Sequence, residues 1–324
     1  MTGLRPVGAM VQEARAGTDP RPQPLEAALP TSPDVLCIGS VLWDIIGRTP
    51  TPIGPGDDVP GHIIRLPGGV ALNIAMTLAR RGLAPALLSA VGRDGEGDDL
   101  IRAVSQMGID CSHILRSDLP TDRYMAIEGA GGLVAAIADA HSLEAAGDSI
   151  LAPLGDGRLG SDRQPWTGLI ALDGNLTTAL LTQIAASALF RAADLRIAPA
   201  APGKAVRLSP LLPMPNATIY LNLAEAGLLV GRSFASAPEA AAALVDHGAR
   251  RVLVTDGPRP CAEAGPNGIL SATPAPVPVR RVTGAGDTFM AAHIVAERHG
   301  ASPARSLAAA LAAAADYISG ETGS

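Results

Sequence analysis

Aromatic side chains are nearly absent from this sequence, at 2% of its 324 residues. Lysine is scarcer still, because Lys204 is the only one, and the net charge is −6. Surfaces that bind nucleic acid combine basic stripes with stacking aromatics, so we expect no nucleic-acid partner. The 47% of hydrophobic residues must instead build a core of small aliphatic side chains. Such a composition suits buried parallel strands covered by Ala-rich helices.

Cysteine and long apolar runs are scarce as well. Cys37, Cys111 and Cys261 are widely spaced and odd in number. They predict neither a disulfide framework nor a metal site, and they suit a reducing compartment. No run approaches the ~20 apolar residues of a membrane span, and the first residues lack the apolar stretch of a signal peptide. We therefore expect a cytoplasmic protein that has no membrane partner.

The order of predicted elements indicates one large domain. Residues 1–33 are rich in Pro, Gly and Ala without sustained periodicity, so they are predicted to be a disordered tail. From residue 34 to 324, predicted strands and helices alternate, which indicates an α/β fold with a mainly parallel sheet. Two β-rich segments, at about 45–67 and 121–140, interrupt the alternation. They are expected to pair into a small sheet that serves as a lid or a dimer surface.

The segment Thr283–Asp287 reads Thr-Gly-Ala-Gly-Asp at the start of a predicted helix. Small residues let backbone N–H groups approach a ligand, and the helix dipole favours an anion there. A carboxylate beside a bound phosphate makes sense if it faces an acceptor hydroxyl. The pattern thus predicts a phosphoryl-transfer site with Asp287 as the base. Spacing alone leaves a second interpretation open, which is a capped helix after a glycine turn.

Three further patterns place polar groups near strand ends or helix starts. The pair Gly68-Gly69 precedes a predicted helix that carries Asn73 one turn in, and the Asn amide can both donate and accept hydrogen bonds. Asp44 follows the first strand, where a doubly wound sheet presents ligand groups. The segment Asn222–Glu225 follows another strand and predicts either a hydrated magnesium ion or a simple helix cap. Taken singly, each pattern also fits an ordinary turn.

Together, these motifs in this order and spacing resemble the ribokinase/PfkB family of carbohydrate kinases, over about residues 34–320. The resemblance implies a ribokinase-like three-layer sandwich with a mainly parallel, doubly wound sheet and a small β-sheet lid. It implies a phosphotransferase that acts on an alcohol group with ATP and Mg²⁺. It also implies a homodimer formed through the lid sheet.

Within the family, several stretches are most similar to pseudouridine kinases, among them "LVAAIADAHSLEA", "LDGN" and "VTGAGDTFMA". Arg281 stands where the family commonly has Asp, and Lys204 falls where this branch has an S-x-x-K pattern. Leu42 and Ala198 depart from the branch, which has Asn and Asp at those positions. The resemblance implies that the acceptor is the 5′ hydroxyl of pseudouridine or of a closely related nucleoside.

The resemblance also assigns roles to individual residues. It implies that Asp287 is the catalytic base beside an anion hole made by Gly284, Ala285 and Gly286. The implied acceptor-binding residues are Asp44, Gly68, Gly69, Asn73, Asp173 and Lys204. The implied nucleotide-binding residues are Asn222, Thr255, Gly257, Thr283 and Gly286. The implied magnesium-linked residue is Glu225.

Two other functions stay open at the level of sequence. The first is a PfkB-type kinase of a free sugar, sugar acid or sugar phosphate. A sugar phosphate needs a cationic clamp, for which Arg123 is the best candidate. The second is a catalytically idle ligand sensor on the same fold. Such a sensor would have lost its base, whereas Asp287 and its loop are present.

Overall fold

A computed structural model describes residues 32–320. All but the last two residues of the predicted tail, 1–33, therefore lie outside the described residues. The strands, in chain order, are β1 (Val35–Ile38), β2 (Leu42–Arg48), β3 (His62–Gly68), β4 (Pro85–Leu88), β5 (Ala90–Gly92), β6 (Leu115–Ser117), β7 (Arg123–Gly129), β8 (Gly132–Asp139), β9 (Leu169–Asp173), β10 (Asp194–Ala198), β11 (Ala217–Asn222), β12 (Arg251–Asp256), β13 (Arg259–Gly265) and β14 (Gly268–Ala272).

The helices lie mostly between these strands. The α-helices are α1 (Val70–Arg80), α2 (Gly95–Ser105), α3 (Ser142–Ala146), α4 (Ala152–Gly155), α5 (Thr178–Ala186), α6 (Leu223–Val230), α7 (Ala237–Asp246), α8 (Ala285–Arg298) and α9 (Pro303–Ser319). Three 3₁₀ segments cover Gly147–Leu151, Ala188–Phe190 and Pro202–Leu211. No helix of residues 32–320 is long and apolar enough to cross a membrane.

The main sheet has eight strands in the order β14-β13-β12-β11-β10-β9-β1-β4. The six strands from β12 to β4 are parallel, and β13 and β14 extend the sheet as an antiparallel edge. Parallel strands need crossover connections, which the helices supply. The predicted α/β fold with a mainly parallel sheet is confirmed.

Two hydrophobic cores lie on opposite faces of the main sheet. Successive side chains of a strand point to opposite faces, so Leu36 and Ile38 join one core and Val35 and Cys37 join the other. The first core packs against α5, α6 and α7, and the second against α1, α2, α8 and α9. The result is the expected three-layer sandwich.

A separate four-stranded sheet has the order β3-β2-β7-β8. It is formed by the two β-rich segments that the sequence set apart, and the Ala130-Gly131 turn joins β7 to β8. We call it the lid sheet. Unlike the main sheet, it leaves large apolar side chains of β3, β7 and β8 exposed to solvent.

Some predicted element bounds differ from the structure. The apolar sequence of residues 84–92 predicts one strand, but the structure divides it at Ser89, after which β5 leaves the main sheet and pairs with β6. The apolar pattern of residues 177–192 predicts one helix, but α5 ends at Ala186, because Ser187 is extended and its hydroxyl accepts a bond from Leu189 N to start a 3₁₀ turn. Helices α3 and α4 and the 3₁₀ segment Pro202–Leu211 were not predicted.

Candidate functional site

Polar side chains gather at the carboxyl edge of the main sheet. Asp173, Asn222 and Thr255 lie at or next to the ends of β9, β11 and β12, and Asn222 is the register partner of Thr255. Because parallel strands end at the same edge, residues that are distant in sequence meet there. Helices α1 and α8 both begin at this edge, so that their N-termini face the same region.

The structure brings Asn73 of α1 and Asp287 of α8 into direct contact. The amide Nδ2 of Asn73 donates to Oδ2 of Asp287 over 3.0 Å. The amide oxygen of Asn73 has no hydrogen bond to any residue of the described chain, so it is available to a hydroxyl. The sequence placed both residues in the site but did not predict that they bind each other.

Asp287 is a buried carboxyl group, with 9% of its surface exposed. Its pKa is raised to about 7, mainly by burial; the Asn73 bond lowers the pKa, and the nearby carboxylates of Asp173, Glu225 and Asp44 add to the upward shift. Burial disfavours a charged carboxylate, which is why the shift is upward. A carboxyl group that titrates near neutral pH is suited to act as a general base.

Asp173 lies beneath the site and is 1% exposed. Its Oδ2 accepts bonds from the backbone N–H and the hydroxyl of Ser40, both at 2.7 Å, and from Ala71 N at 3.2 Å. Its Oδ1 accepts from Asn175 N. Its carboxylate is thus bonded to the loop after β1 and to the start of α1, and these bonds hold the two segments together.

Ser40 connects this carboxylate to the predicted lysine. The Ser40 hydroxyl accepts from Val70 N at 2.9 Å and from the side-chain amide of Asn175 at 2.8 Å. Lys204 then donates from Nζ to Oδ1 of Asn175 over 2.6 Å. The single lysine of the chain is therefore bonded, through Asn175, to Ser40 and Asp173. We call these four residues the floor of the site. The sequence analysis quoted Asn175 but did not place it in the site.

Asp44 enters the site from the lid sheet. It pairs in register with Leu66 on β3 and with Tyr124 on β7. Its carboxylate lies directly over Gly68, since a Cβ there would sit 2.0 Å from Asp44 Oδ2. Gly69, at a φ of +100°, lies so close to the carbonyl of Ser40 that a side chain would collide with it. Burial raises the pKa of Asp44 to about 6.

The predicted anion loop is a tight turn before α8. Gly284 adopts a left-handed conformation, with a φ of +89°, and caps the helix without a side chain. Ala285 N donates to the carbonyl of Val282. The backbone N–H groups of Gly284, Gly286 and Asp287 have no acceptor within residues 32–320, which leaves them free for an anion.

Asn222 and Glu225 form a reciprocal cap at the start of α6. Asn222 Oδ1 accepts from Glu225 N at 2.9 Å, and Glu225 Oε2 accepts from Asn222 N at 2.8 Å. This is the helix cap that the sequence analysis left open as one interpretation. One carboxylate oxygen of Glu225 has no protein partner in the described chain, and burial raises the pKa of this group.

The cap leaves one carboxylate oxygen of Glu225 for a magnesium ion. Residues 32–320 contain no cluster of three or more His, Cys, Asp or Glu side chains that could hold a metal ion directly. Magnesium retains several of its waters in proteins, and a single buried carboxylate oxygen can hold it through water. The donor set therefore fits a hydrated ion beside Glu225 and does not fit a direct coordination cage.

Thr255 and Gly257 lie at the end of β12, next to Asn222. The Thr255 hydroxyl makes a long contact of 3.4 Å with the carbonyl of Leu221. Gly257 has a φ of +55° and begins the turn to β13. Both positions lie at the carboxyl end of β12, and the nucleotide contact predicted for them stays a prediction.

The comparison with known families identifies the family of the chain. Residues 32–321 match the model of the pfkB family carbohydrate kinases. The chain belongs to this family. PfkB kinases are phosphotransferases with an alcohol acceptor, so this chain is such an enzyme. The predicted family and reaction class are confirmed.

Two curated sequence relatives are pseudouridine kinases. The Escherichia coli enzyme is 33% identical to this PfkB chain over 124 residues, which cover 38% of this chain and 40% of the relative. The Arabidopsis thaliana enzyme is 31% identical over 101 residues, which cover 31% of this chain and 26% of the relative. The matched stretches thus span less than half of either relative.

Solved structures resemble nearly the whole chain. A carbohydrate kinase from Agrobacterium tumefaciens is 25% identical, with a TM-score of 0.72 over 90% of this chain and 94% of that one. Arabidopsis thaliana ribokinase, solved with ribose and ATP, is 21% identical, with a TM-score of 0.71 over 89% and 93%. The predicted ribokinase-like fold is confirmed.

Sequence reasoning missed several contributors to the site. Ser40 stands at the end of β1, and a polar residue there is a signal that could have been used. Asn175, two residues beyond Asp173, gives a similar signal. Tyr124 is half-buried opposite Asp44, and only the register of the lid sheet reveals this. Tyr317 reaches the anion loop from α9, and nothing near it in the sequence indicates this contact.

Proposed function

We propose that this PfkB chain transfers the γ-phosphoryl group of ATP to the 5′ hydroxyl of pseudouridine or a closely related nucleoside. One observation carries the proposal: the buried carboxylate of Asp287, held by Asn73, lies at the same site as Asp44 on the inner face of the lid sheet. The site thus pairs a base with groups that can bind ribose hydroxyls, next to an apolar wall.

The proposed chemistry assigns the proton to Asp287. The acceptor hydroxyl oxygen forms the new bond to phosphorus as the bond to the bridging oxygen of the leaving ADP breaks, and the hydroxyl proton passes to the carboxylate. The free N–H groups of the anion loop stabilise the charge on the transferring group. Asp44 and the amide oxygen of Asn73 accept bonds from the ribose hydroxyls and so orient the acceptor.

The inner face of the lid sheet favours a nucleoside over a free sugar. Strand pairing places on the face that carries Asp44 the side chains of Ile46, Ile64, Leu66, Tyr124, Ala136 and Ala138. Leu66 is 47% exposed, so this wall has apolar surface left to cover. A nucleobase would bury that surface, whereas a free sugar would leave most of it in water. Lys204 and Asn175 supply polar groups at the opposite, floor side.

A sugar phosphate is a weaker candidate. Arg123, the proposed clamp for such a substrate, pairs in register with Trp43, one position from Asp44. Adjacent positions point to opposite faces of a sheet, so Arg123 lies on the outer face. There it forms an ion pair with Glu96 at 2.8 Å. This arrangement supports a structural role for Arg123.

Magnesium and nucleotide are proposed to bind on the α8 and β12 side. Asn222, Thr255, Gly257 and the loop Thr283–Gly286 are the proposed nucleotide contacts, and Glu225 would hold a hydrated Mg²⁺. When bound, the ion supplies positive charge that neutralises the phosphate oxygens. The protein's part is to keep the Glu225 carboxylate fixed, which the reciprocal cap with Asn222 does.

We further propose that the outer face of the lid sheet packs against a second copy of the chain. The exposed apolar side chains of that face are Ile63, Met125, Ile127 and Ile137. A two-fold contact would place the same apolar set on both sides, which is self-complementary. Sedimentation of wild type and of Ile137→Glu tests this. A wild-type monomer at micromolar concentration would contradict it.

The decisive experiment for the substrate is an acceptor screen. Consumption of ATP is measured with pseudouridine, uridine, ribose and a fructose phosphate at equal concentration with Mg²⁺. We expect kcat/KM to be highest for pseudouridine and lowest for fructose phosphate. Turnover of ribose alone, with none of either nucleoside, would replace the nucleoside proposal with the free-sugar alternative. Turnover of none of them would refute both acceptor classes.

A further inference from the structure

Tyr317, a residue of α9, contacts the predicted anion loop Thr283–Gly286. The Tyr317 hydroxyl donates to the carbonyl of Thr283 over 2.8 Å. It also packs against the next residue so closely that a Cβ on Gly284 would lie 2.6 Å from the phenol oxygen. Gly284 is therefore required for two reasons, its left-handed backbone and the approach of this ring.

Arg281 fixes the tyrosine in turn. Its guanidinium stacks on the Tyr317 ring, with Cζ 3.8 Å from the ring centroid, and its Nε donates to the Tyr317 carbonyl over 2.7 Å. The backbone N–H of Arg281 also donates to the carbonyl of Ile318 at 3.3 Å. The bond to the backbone carbonyl holds Arg281 beside Tyr317, and the stacked guanidinium then restricts movement of the ring. Burial raises the pKa of Tyr317, so the hydroxyl keeps the proton that it donates.

The bond to Thr283 has a consequence for the peptide that follows it. In a planar trans peptide, the C=O of one residue and the N–H of the next point in opposite directions. Holding the Thr283 carbonyl towards α9 therefore directs the Gly284 N–H away from α9. That N–H has no acceptor in the described part of the chain, and it belongs to the loop that leads into Asp287.

We infer that Tyr317, held by Arg281, is a positioning residue that orients the Gly284 N–H towards the transferring phosphoryl group. The inference rests on the proposed function for the presence of that group. Without the Tyr317 hydroxyl, the Thr283–Gly284 peptide can rotate about its flanking bonds. The N–H would then be aligned for only part of the time, and the cost appears in the transition state, where charge on the phosphoryl oxygens must be stabilised.

Tyr317→Phe tests this role because it removes one oxygen and retains the ring. We expect kcat to fall about tenfold, less than the 10²–10³-fold reported for outright loss of an oxyanion donor. The KM for the acceptor should change less than twofold, since acceptor contacts lie elsewhere. The control is Tyr220→Phe, which removes a buried hydroxyl that contacts Arg196 and His293. It should lower the melting temperature and leave kcat unchanged.

Arg281→Ala supplies a second readout through non-additivity. Arg281→Ala alone should lower kcat about threefold. The double variant Arg281→Ala/Tyr317→Phe should have the same kcat as Tyr317→Phe, because both changes act through one hydrogen bond. Additive losses in the double variant would overturn the coupling. A kcat of Tyr317→Phe within twofold of wild type would overturn the positioning role, as would a kcat loss matched by Tyr220→Phe.

Hydrolysis of ATP without any acceptor separates this inference from the proposed substrate. Water then replaces the acceptor hydroxyl, while the loop still has to stabilise the same phosphoryl group. A tenfold slower hydrolysis by Tyr317→Phe supports the inference even if no nucleoside is a substrate. Equal hydrolysis rates for Tyr317→Phe and wild type overturn it even if pseudouridine is phosphorylated.

Discussion

The floor of the site and the lid sheet are built on opposite principles. On the floor, a series of side-chain hydrogen bonds runs from Lys204 through Asn175 and Ser40 to Asp173. On the lid, Asp44 stands among apolar side chains that face solvent. The side chains of the floor are therefore held in place by hydrogen bonds within the chain, without any ligand. The apolar side chains of the lid sheet, by contrast, stay exposed until a ligand or another protein surface covers them.

Loss of the proposed base should have the largest effect and leaves the lid sheet unchanged. Asp287→Asn keeps the shape of the side chain but cannot accept the hydroxyl proton. We expect kcat to fall by about 10³-fold with ATP affinity nearly unchanged, as measured by steady-state kinetics and calorimetry. Asp246→Asn, on an exposed carboxylate of α7, serves as the control. Undiminished turnover by Asp287→Asn would refute the base assignment.

Ser40→Ala tests whether the floor is held together as a network. It removes the hydroxyl that serves Asp173, Val70 and Asn175, and it leaves buried groups without partners. The free energy of unfolding should fall by about 2 kcal/mol in denaturant titration. Ser209→Ala, an exposed hydroxyl, should change it little. Equal stability of the two variants would mean that the floor is not cooperative.

Leu66→Ser tests the lid without touching the floor. It removes apolar surface from the inner face, so the KM for a nucleoside should rise on the order of tenfold while the free energy of unfolding stays within about 0.5 kcal/mol. Ile63→Ser on the same strand is the matched control, because Ile63 is 79% exposed on the outer face; its sedimentation is measured alongside, since Ile63 also lies on the proposed dimer contact. The same rise in KM for both variants would show that the two lid faces do not differ in acceptor binding.

The smallest expected effect is a shift in pH dependence. Asp287 must be ionised to act as a base, so kcat/KM should fall as the pH drops below about 7. The Asn73 bond lowers the pKa of Asp287, so Asn73→Ala should move the acid limb of the profile to higher pH. The pH profiles of kcat/KM for the two proteins measure this. A midpoint that moves downward would contradict the assignment.

The sequence predicted the fold well because the signals for it are local. The apolar periodicity of α1 and the buried runs of β1 and β9 can be read within ten residues. The glycine turn before α8 is likewise a local feature, which is why its position could be predicted. Partnerships across the chain were not predictable: the Asn73–Asp287 bond and the Tyr317–Thr283 bond depend on how α1, α8 and α9 pack. The Asn222 cap was weighed in advance because its spacing is local.

Residues that bond to one another in the candidate site lie far apart along the chain, and this separation affects the kinetics of folding. Asn73 and Asp287 are 214 positions apart, and Ser40 and Asp173 are 133 apart. Contacts between residues so far apart close large loops. They form late in folding because the chain loses the entropy of loop closure before the contact can stabilise it. A partly folded chain can hold its helices and some parallel strands without possessing a site. During refolding, turnover should therefore return last, after the recovery of helical signal, and its appearance marks completion of the whole domain.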